Sequence, residues 1–278
     1  MWYDQIKPTY CLLLLLILLS CSDRNTSNGK SETTVENLYS NIENQIASGK
    51  WNEATILIDS LNSAYPDELD YRRKTMLLRA KAIEGMVRDS IPFADEEIAR
   101  TEEEIKELST CFITVKEKGL PDFEIDKNAS KVNILSGNVL QPRIENNGNS
   151  WVLVVSTKGN INIKGLEANI DNSLVSIDVG NPELRRVTGS GVEMFTFSAE
   201  ELAPLVEAMN NNDPQTFILN IIGEKAKVAI KVSPDMQTAI LRTARLVELN
   251  ELHRKALVRR ELLERKLIIA QNQIVNFQ

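Results

Sequence analysis

The stretch "KVAIKVSPDMQTAILRTARLVELN", Lys227 to Asn250, changes its hydrophobic period at one point and so places a strand directly before a helix. Alternate positions from Val228 to Val232 are apolar, which is typical of a strand with one buried face. Ser233 suits a helix N-cap, and Pro234 suits the first helical position, where its missing N–H costs no hydrogen bond. The sequence therefore predicts a mixed fold that ends in a helix.

The segment after Pro234 contains neither Gly nor Pro, so we predict one helix from there to about Val275, roughly 60 Å long. Its seam positions recur at alternating spacings of three and four residues, as in helices that pack along other helices. Two seam positions, His253 and Arg260, are polar; we interpret them as edge residues whose polar tips reach water, and the alternative is a pH- or ligand-sensitive contact. The seam comprises Leu246, Leu249, His253, Ala256, Arg260, Leu263, Leu267, Ala270, Ile274 and Phe277.

Charge patterning suggests a partner for this helix within the same chain. Residues 92–107 carry seven acidic and two basic side chains, whereas residues 242–266 carry eight basic and four acidic ones. Exposed ion pairs contribute only about 0.2–1 kcal/mol each, so they would select the partner while apolar burial supplies most of the energy. We favour packing of the C-terminal helix on the N-terminal helices; the alternative is pairing with a second copy of the protein.

The N-terminal part reads as a series of helices. Two are predicted within residues 35–65 on either side of "SGKW", and a third within residues 68–88. Pro92 is expected to open a fourth helix, which runs to Lys118. Its seven-residue seam comprises Ile98, Ile105, Leu108, Phe112 and Val115.

The central part reads as strands. Between about Val132 and Val232 we count about seven strand patterns and one short helix, which begins with a capping box at Ser198 and Glu201. We therefore predict an α+β fold with N-terminal helical hairpins, a mostly antiparallel sheet or sandwich with one inserted helix, and a long C-terminal helix. The predicted segments are a signal peptide at 1–20, a flexible tether at 21–34, a helical domain at 35–119, a β-rich domain at 120–233 and the final helix at 234–278.

The stretch "SGKWNEATILIDSLNSAYP", residues 48–66, resembles the second half of a tetratricopeptide repeat. Gly49, Ala54 and Pro66 fall at the spacing of that family, and Trp51 occupies an aromatic slot. The resemblance covers residues 36–66, about one repeat, and a peptide-binding groove needs several. It therefore implies a helical-hairpin packing module more than a concave peptide-binding array.

The N-terminal run "LLLLLILLSCSD", Leu12 to Asp23, locates the protein. It is shorter than the roughly 20 apolar residues of a membrane-spanning helix, and it suits the hydrophobic core of a signal peptide. The four residues Leu18 to Cys21 resemble the lipobox of bacterial lipoproteins. That resemblance implies cleavage before Cys21, a diacylglyceryl group on its thiol and acylation of the new N-terminus; the alternative is an ordinary secretory signal.

The residues after Cys21 bear on the choice of membrane. In lipoproteins of bacteria with two membranes, an aspartate directly after the cysteine often retains the protein in the inner membrane. Here Ser22 occupies that place and Asp23 follows it, so we expect a lipid-anchored protein of the cell envelope at the outer rather than the inner membrane.

Composition limits the chemistry. The net charge of −7 disfavours nucleic acid as a partner. Cys11 would leave with the signal peptide and Cys21 would carry lipid, so Cys111 would remain as a buried thiol without a disulfide partner. His253 is the single histidine, and the sequence has no GxSxG, P-loop or GxGxxG motif, so we predict no metal, cofactor or catalytic residue. The acidic runs Glu96–Glu97 and 102–104 are interpreted as a solvated helix face.

Three functions remain open at this point. The favoured one is a non-catalytic binding or scaffold subunit of the envelope, with a protein partner or a second copy on the C-terminal helix. The second is an envelope glycan hydrolase, because two carboxylates suffice for glycoside hydrolysis; against it, the strand region offers few aromatic residues for a sugar platform, and Trp151 is its only tryptophan. The third is a glycan- or peptide-binding sandwich that serves a transport complex.

Overall fold

A computed structural model of the chain describes residues 28–116, 121–145, 148–171, 173–179, 186–189, 191–212 and 215–277. The chain divides into two compact units. The helical unit comprises residues up to 89 together with residues from 265, and the sheet unit comprises residues 90–264. The predicted α+β class is confirmed, with helices first, two antiparallel sheets in the middle and a long helix last.

The helical unit is built from α1 (Asn28–Ala47), α2 (Trp51–Ala64) and the first part of α3 (Leu69–Ser109), with the last part of α5 (Pro234–Phe277). Gly49 has a φ of +71°, in the left-handed region that glycine adopts most easily, and it closes the turn between α1 and α2. Apolar side chains at helical spacing then meet in one small core. This core consists of Ile42, Ala54, Ile58, Leu61, Leu78 and Ala82.

Two helix boundaries differ from the predictions. α1 begins at Asn28, inside the segment predicted as a tether, because a packed helix can extend through polar residues that would not fold alone. Pro92 does not open a new helix but lies inside α3. A proline removes one backbone hydrogen bond from a helix interior, and α3 continues through Pro92 with buried residues on both sides of it, Val87 and Ala94.

The predicted end of the fourth helix at Lys118 is wrong. α3 ends at Ser109, and Phe112–Val115 forms strand β1. Phe112, Ile113, Thr114 and Val115 are aromatic or β-branched residues, which favour strands, and pairing with β2 (Phe123–Asp126) satisfies their backbone groups. Phe112 and Val115 therefore follow the heptad spacing of the residues before them, although they do not belong to the same helix.

The sheet unit contains two sheets whose strand ladders are antiparallel. The first sheet has the order β1-β2-β3-β4-β8-β7 and the second the order β10-β9-β5-β6. A helix α4 (Ala199–Asn210) follows β8 directly and contacts strands of both sheets. The remaining strands are β3 (Val139–Glu145), β4 (Ser150–Lys158), β5 (Ile163–Ile170), β6 (Ser173–Asp178), β7 (Arg186–Gly189), β8 (Val192–Ser198), β9 (Phe217–Gly223) and β10 (Lys227–Val232), with a short 3-10 helix at Ile134–Ser136.

One core joins both sheets to α4 and to residues of α5 within this unit. Phe195 and Phe197 of β8 are fully buried, with ring centroids 4.8 Å apart in an edge-to-face arrangement. Leu153 of β4, Leu166 of β5 and Ile221 of β9 belong to the same cluster. Burial of large side chains at this density supplies most of the stability of such a unit.

Several local predictions in this unit are confirmed. β3 pairs with β4 and β9 pairs with β10, each antiparallel, within the region predicted as strands. The capping box is present, since the Ser198 hydroxyl accepts the N–H of Glu201 and the Glu201 carboxylate accepts the N–H of Ser198. Ser233 caps α5 by accepting the N–H of Met236 at 3.2 Å.

Candidate ligand groove and helix surfaces

Within the sheet unit, side chains of α3 and α5 form polar contacts from the two oppositely charged stripes. Arg245 donates a hydrogen bond to Glu104 at 2.8 Å, and Arg260 forms an ion pair with Asp95 at 2.5 Å. The Arg245 guanidinium lowers the pKa of the Glu104 carboxyl below its usual value. The hydrogen bond to Asp95 likewise raises the pKa of Arg260.

His253 lies in the same seam. Its Nδ1 is 2.9 Å from the hydroxyl of Thr101, a fully buried residue of α3. The hydroxyl of Thr101 also lies 2.8 Å from the carbonyl oxygen of Glu97, to which it donates its single proton. The hydroxyl therefore accepts from His253, and Nδ1 of His253 is the donor. The ring is half-buried, and its Nδ1 contacts a buried residue of the neighbouring helix instead of water.

A groove lies between α4 and α5 in the sheet unit. Its volume is about 430 Å³, and apolar side chains make up most of its floor. α4 contributes residues at spacings of four, three and four, which bring one helix face to the groove. The groove is lined by Leu108, Trp151, Ala199, Ala203, Val206, Asn210, Leu241, Arg242, Ala244, Arg245 and Glu248.

The charged residues of this groove differ in how they are paired. Arg245 is engaged twice, since it donates to Glu104 and to Glu248. Arg242 instead forms an ion pair with Asp126, with Nη1 3.6 Å from Oδ2, and makes no hydrogen bond to any described residue. Its side chain is 39% exposed, whereas that of Asp126 is fully buried. Arg242 therefore retains donors that face solvent or a ligand.

The structure reveals two buried carboxylates that the sequence analysis did not single out. Glu193 of β8 is fully buried and accepts the backbone N–H groups of Ile161, Asn162 and Ile163 at 2.7–2.9 Å. It also forms an ion pair with Arg186 at 2.9 Å. Since β8 belongs to the first sheet and Ile163 begins β5 of the second, Glu193 joins the two sheets, a structural role that only tertiary contacts could disclose.

Asp126 is the second of these carboxylates. Its Oδ1 accepts the backbone N–H of Asn128 at 2.7 Å, and its buried Oδ2 has no hydrogen-bond partner among the described residues. The Arg242 ion pair is thus the nearest compensation for this charge. An acid followed two residues later by Asn in a turn is a local signal for the first contact, but the approach of Arg242 depends on the fold.

The helical unit exposes apolar side chains near the end of α5. Ile268 and Ile269 are each 57% exposed, and Val275 and Phe277 are exposed as well. The segment from Leu267 to Phe277 contains no charged residue. We call Ile268, Ile269, Val275 and Phe277 the α5 apolar surface.

Trp51 does not simply fill an aromatic slot of the hairpin. Its indole N–H donates to Asp89 of α3 at 2.6 Å, and its ring lies directly over Gly85. A Cβ atom at position 85 would lie 2.5 Å from the ring. Trp51 and Gly85 therefore form a matched pair that fixes the hairpin on α3.

The other residues singled out from the sequence lie apart from the groove. Cys111 is a half-buried free thiol between α3 and β1. Glu102 and Glu103 are exposed on α3. Cys21, predicted as the lipid attachment site, lies outside the described residues, as does the rest of the predicted signal peptide.

Two features of the described residues concern membranes and metal ions. No described helix has an apolar stretch long enough to cross a membrane. Over the same described ranges, His, Cys, Asp and Glu side chains form no group of three or more that could hold a metal ion.

Comparison with protein-family models, with curated proteins and with solved structures finds no significant match to this chain.

Proposed function

We propose that this protein is a lipid-anchored bacterial envelope protein that acts as a non-catalytic binding or scaffold subunit. The lipobox-like residues Leu18 to Cys21 support the anchor, and the outer membrane is the favoured location. The folded units would then be held near the membrane, where they contact other envelope components.

The single observation that carries the binding role is the α5 apolar surface. Ile268 and Val275 are seven residues apart and therefore share one face of α5, and large apolar side chains exposed on one helix face are a common mark of a protein–protein contact. Because residues 267–277 carry no charge, a partner on this surface would be held by apolar burial, not by ion pairing. We commit to an envelope protein as this partner.

The lining of the groove supports binding over glycoside hydrolysis. Hydrolysis of a glycosidic bond needs two carboxylates roughly 5–9.5 Å apart across the substrate. Among the described lining residues, Glu248 supplies the one carboxylate, and Arg245 already occupies it at 2.9 Å. Glu193 and Asp126 are buried in structural contacts and are not among the residues that line the groove.

Mass spectrometry of the mature N-terminus tests the anchor. We expect a chain that begins at Cys21 with a diacylglyceryl group on its sulfur. Cys21→Ala should be released from the membrane fraction. A bare thiol at Cys21, or an uncleaved leader in the mature protein, would refute the anchor.

Affinity isolation from detergent-solubilised envelope tests the partner. The double variant Ile268→Glu, Ile269→Glu should lose a co-purifying protein that the parent chain retains. Leu174→Glu is the matched control, because Leu174 is 72% exposed on β6 of the sheet unit and should retain the partner. Equal recovery of the partner protein by both variants would contradict the proposal. So would cleavage of envelope glycans by the purified chain, or a homodimer that the double variant disrupts.

A further inference from the structure

The groove between α4 and α5 has the composition of a site for a small amphiphile. Leu108, Val206, Leu241 and Ala244 are half-buried along it, and Trp151 is 5% exposed at its wall. Ligand sites are typically concavities of about 300–1,000 Å³ with apolar walls and a few placed polar groups. The volume of about 430 Å³ falls within that range.

The polar groups of the groove favour one charge type. Glu248 is paired with Arg245, and Arg245 is also bonded to Glu104, so two carboxylates already offset the charge of that cation. Arg242 is different, because its ion-pair partner Asp126 sits 3.6 Å away, beyond hydrogen-bond distance, and is sealed from solvent. A guanidinium has five N–H donors in a planar fork that matches a carboxylate.

We infer that this groove binds a small carboxylate with an aliphatic body, with the apolar part against Trp151 and Val206 and the carboxylate on Arg242. Asp126 offsets the charge of Arg242 but does not occupy its donors. An incoming carboxylate can therefore form hydrogen bonds on the exposed side of the guanidinium. A cationic ligand would meet Arg242 and an already paired Glu248, and a neutral one would leave the Arg242 donors with water alone.

The inference goes beyond the proposed function. The groove lies in the sheet unit, whereas the α5 apolar surface lies in the helical unit, and the ligand is a small molecule rather than a protein. Loss of the lipid anchor or of the protein partner would leave this inference standing, and failure of the groove would leave the scaffold proposal standing.

Bromine quenching of tryptophan fluorescence gives a direct test. The full chain carrying Cys21→Ala, purified without lipid, is titrated with bromodecanoate and, separately, with its neutral twin bromodecanol. We expect the carboxylate to quench at a concentration at least tenfold lower than the alcohol does. Every protein in this test also carries Trp2→Phe, which leaves two of the three tryptophans of the chain. Trp151→Phe should then remove this quenching, because Trp151 lines the groove and Trp51 lies in the other unit.

Two variants assign the effect to the groove. Arg242→Gln, combined with Asp126→Asn so that no unpaired carboxylate stays buried, should abolish the preference for the carboxylate over the alcohol. Ala203→Phe, on the exposed rim, should fill the groove and weaken both ligands at least tenfold. Arg259→Gln is the matched control, since Arg259 is an exposed arginine of α5 outside the groove lining and should bind like the parent.

Two results would contradict the inference. Equal quenching by carboxylate and alcohol would overturn the role of Arg242. Quenching that survives Trp151→Phe or Ala203→Phe would place the ligand elsewhere. The circular dichroism spectrum of each variant must match that of the parent chain. If the double variant unfolds, Ala203→Phe and the comparison of the two ligands still decide whether the groove binds the carboxylate.

Discussion

The helical unit and the sheet unit use their apolar side chains in different ways. In the sheet unit, large residues such as Phe195, Phe197 and Leu153 are fully buried in a core that joins both sheets. The core of the helical unit is smaller and includes alanines, such as Ala54 and Ala82. Large side chains elsewhere in that unit stay exposed, namely Ile56, Leu69, Met76, Ile268, Ile269, Val275 and Phe277.

The comparison separates stability from recognition. Strands stack side chains from two sheets and a helix into one interior, so the largest apolar residues there are buried, while others such as Leu174 and Val187 stay at the surface. Helices bury one stripe each, and further apolar residues on the same helices remain at the surface. We therefore expect changes in the core of the sheet unit to act on folding and changes on the surface of the helical unit to act on partners.

The largest effect is expected from Glu193→Ala. The change leaves three buried N–H groups and Arg186 without their acceptor, which should cost about 5 kcal/mol of the free energy of unfolding. Chemical denaturation, followed by Trp151 fluorescence, measures it. The matched control is Glu167→Gln, which removes a partly exposed pair with Lys227 and should cost less than about 1 kcal/mol. Equal losses in the two variants would show that Glu193 does not join the sheets.

The next effect is expected from truncation after Glu264. Removal of residues 265–278 takes away the fully buried Ala270 and its half-buried neighbours Leu267 and Ile274 from the helical unit. The loss should lower the stability of that unit by on the order of 3 kcal/mol. Hydrogen exchange should show faster exchange in α1 and α2 and little change in β4, β5 and β8. Unchanged protection of α1 and α2 would mean that this part of α5 does not support the helical unit.

A smaller effect is expected from Gly85→Ala. In an ordinary helix interior this change stabilises by about 1 kcal/mol, because alanine has the higher helix propensity. Here the new methyl would lie 2.5 Å from the Trp51 ring, so we expect a net loss of about 2 kcal/mol. Thermal denaturation measures it. Trp51→Leu in the same chain should relieve part of the loss, and a Gly85→Ala protein more stable than its parent would disprove the close contact.

The smallest effect concerns acid. The pKa of Glu104 is lowered in the folded state, so its pairing with Arg245 contributes stability above its usual pKa near 4.5 and loses it as the pH falls through the lowered value. The protection factors of the amides at residues 100–105 of α3, which are exchange rates corrected for the intrinsic effect of pH, should fall in acid. Glu104→Gln should weaken that fall. A parent and a variant with identical pH profiles would exclude this pair as a contributor.

Much of the fold could be predicted because its signals are local. The alternation at β10, the Ser233–Pro234 helix start and the capping box at Ser198 each depend on residues within a few positions. β1 and β2 were missed, because they are only four residues long and their pairing partners are not evident from the sequence. The prediction at Pro92 was wrong for the opposite reason. Proline is a strong local signal for a helix start, but α3 continues through it.

The candidate groove could not be predicted in the same way. Its walls come from α3, β4, α4 and α5, so residues as distant as Leu108 and Glu248 meet only in the folded unit. Trp151 was noted from the sequence, but as an isolated aromatic residue. Arg242 was noted only as part of a basic stripe, and its unoccupied donors depend on where Asp126 is buried.

The sequence by itself determined the order of the helical and strand-rich segments, the α+β class and the lipobox-like start, because each depends on neighbouring residues along the chain. Only the tertiary structure decided which charges are paired, which apolar residues stay exposed and where a cavity forms. Those properties depend on distances between residues far apart in sequence, and the period of a segment carries no information about the surface that it will meet.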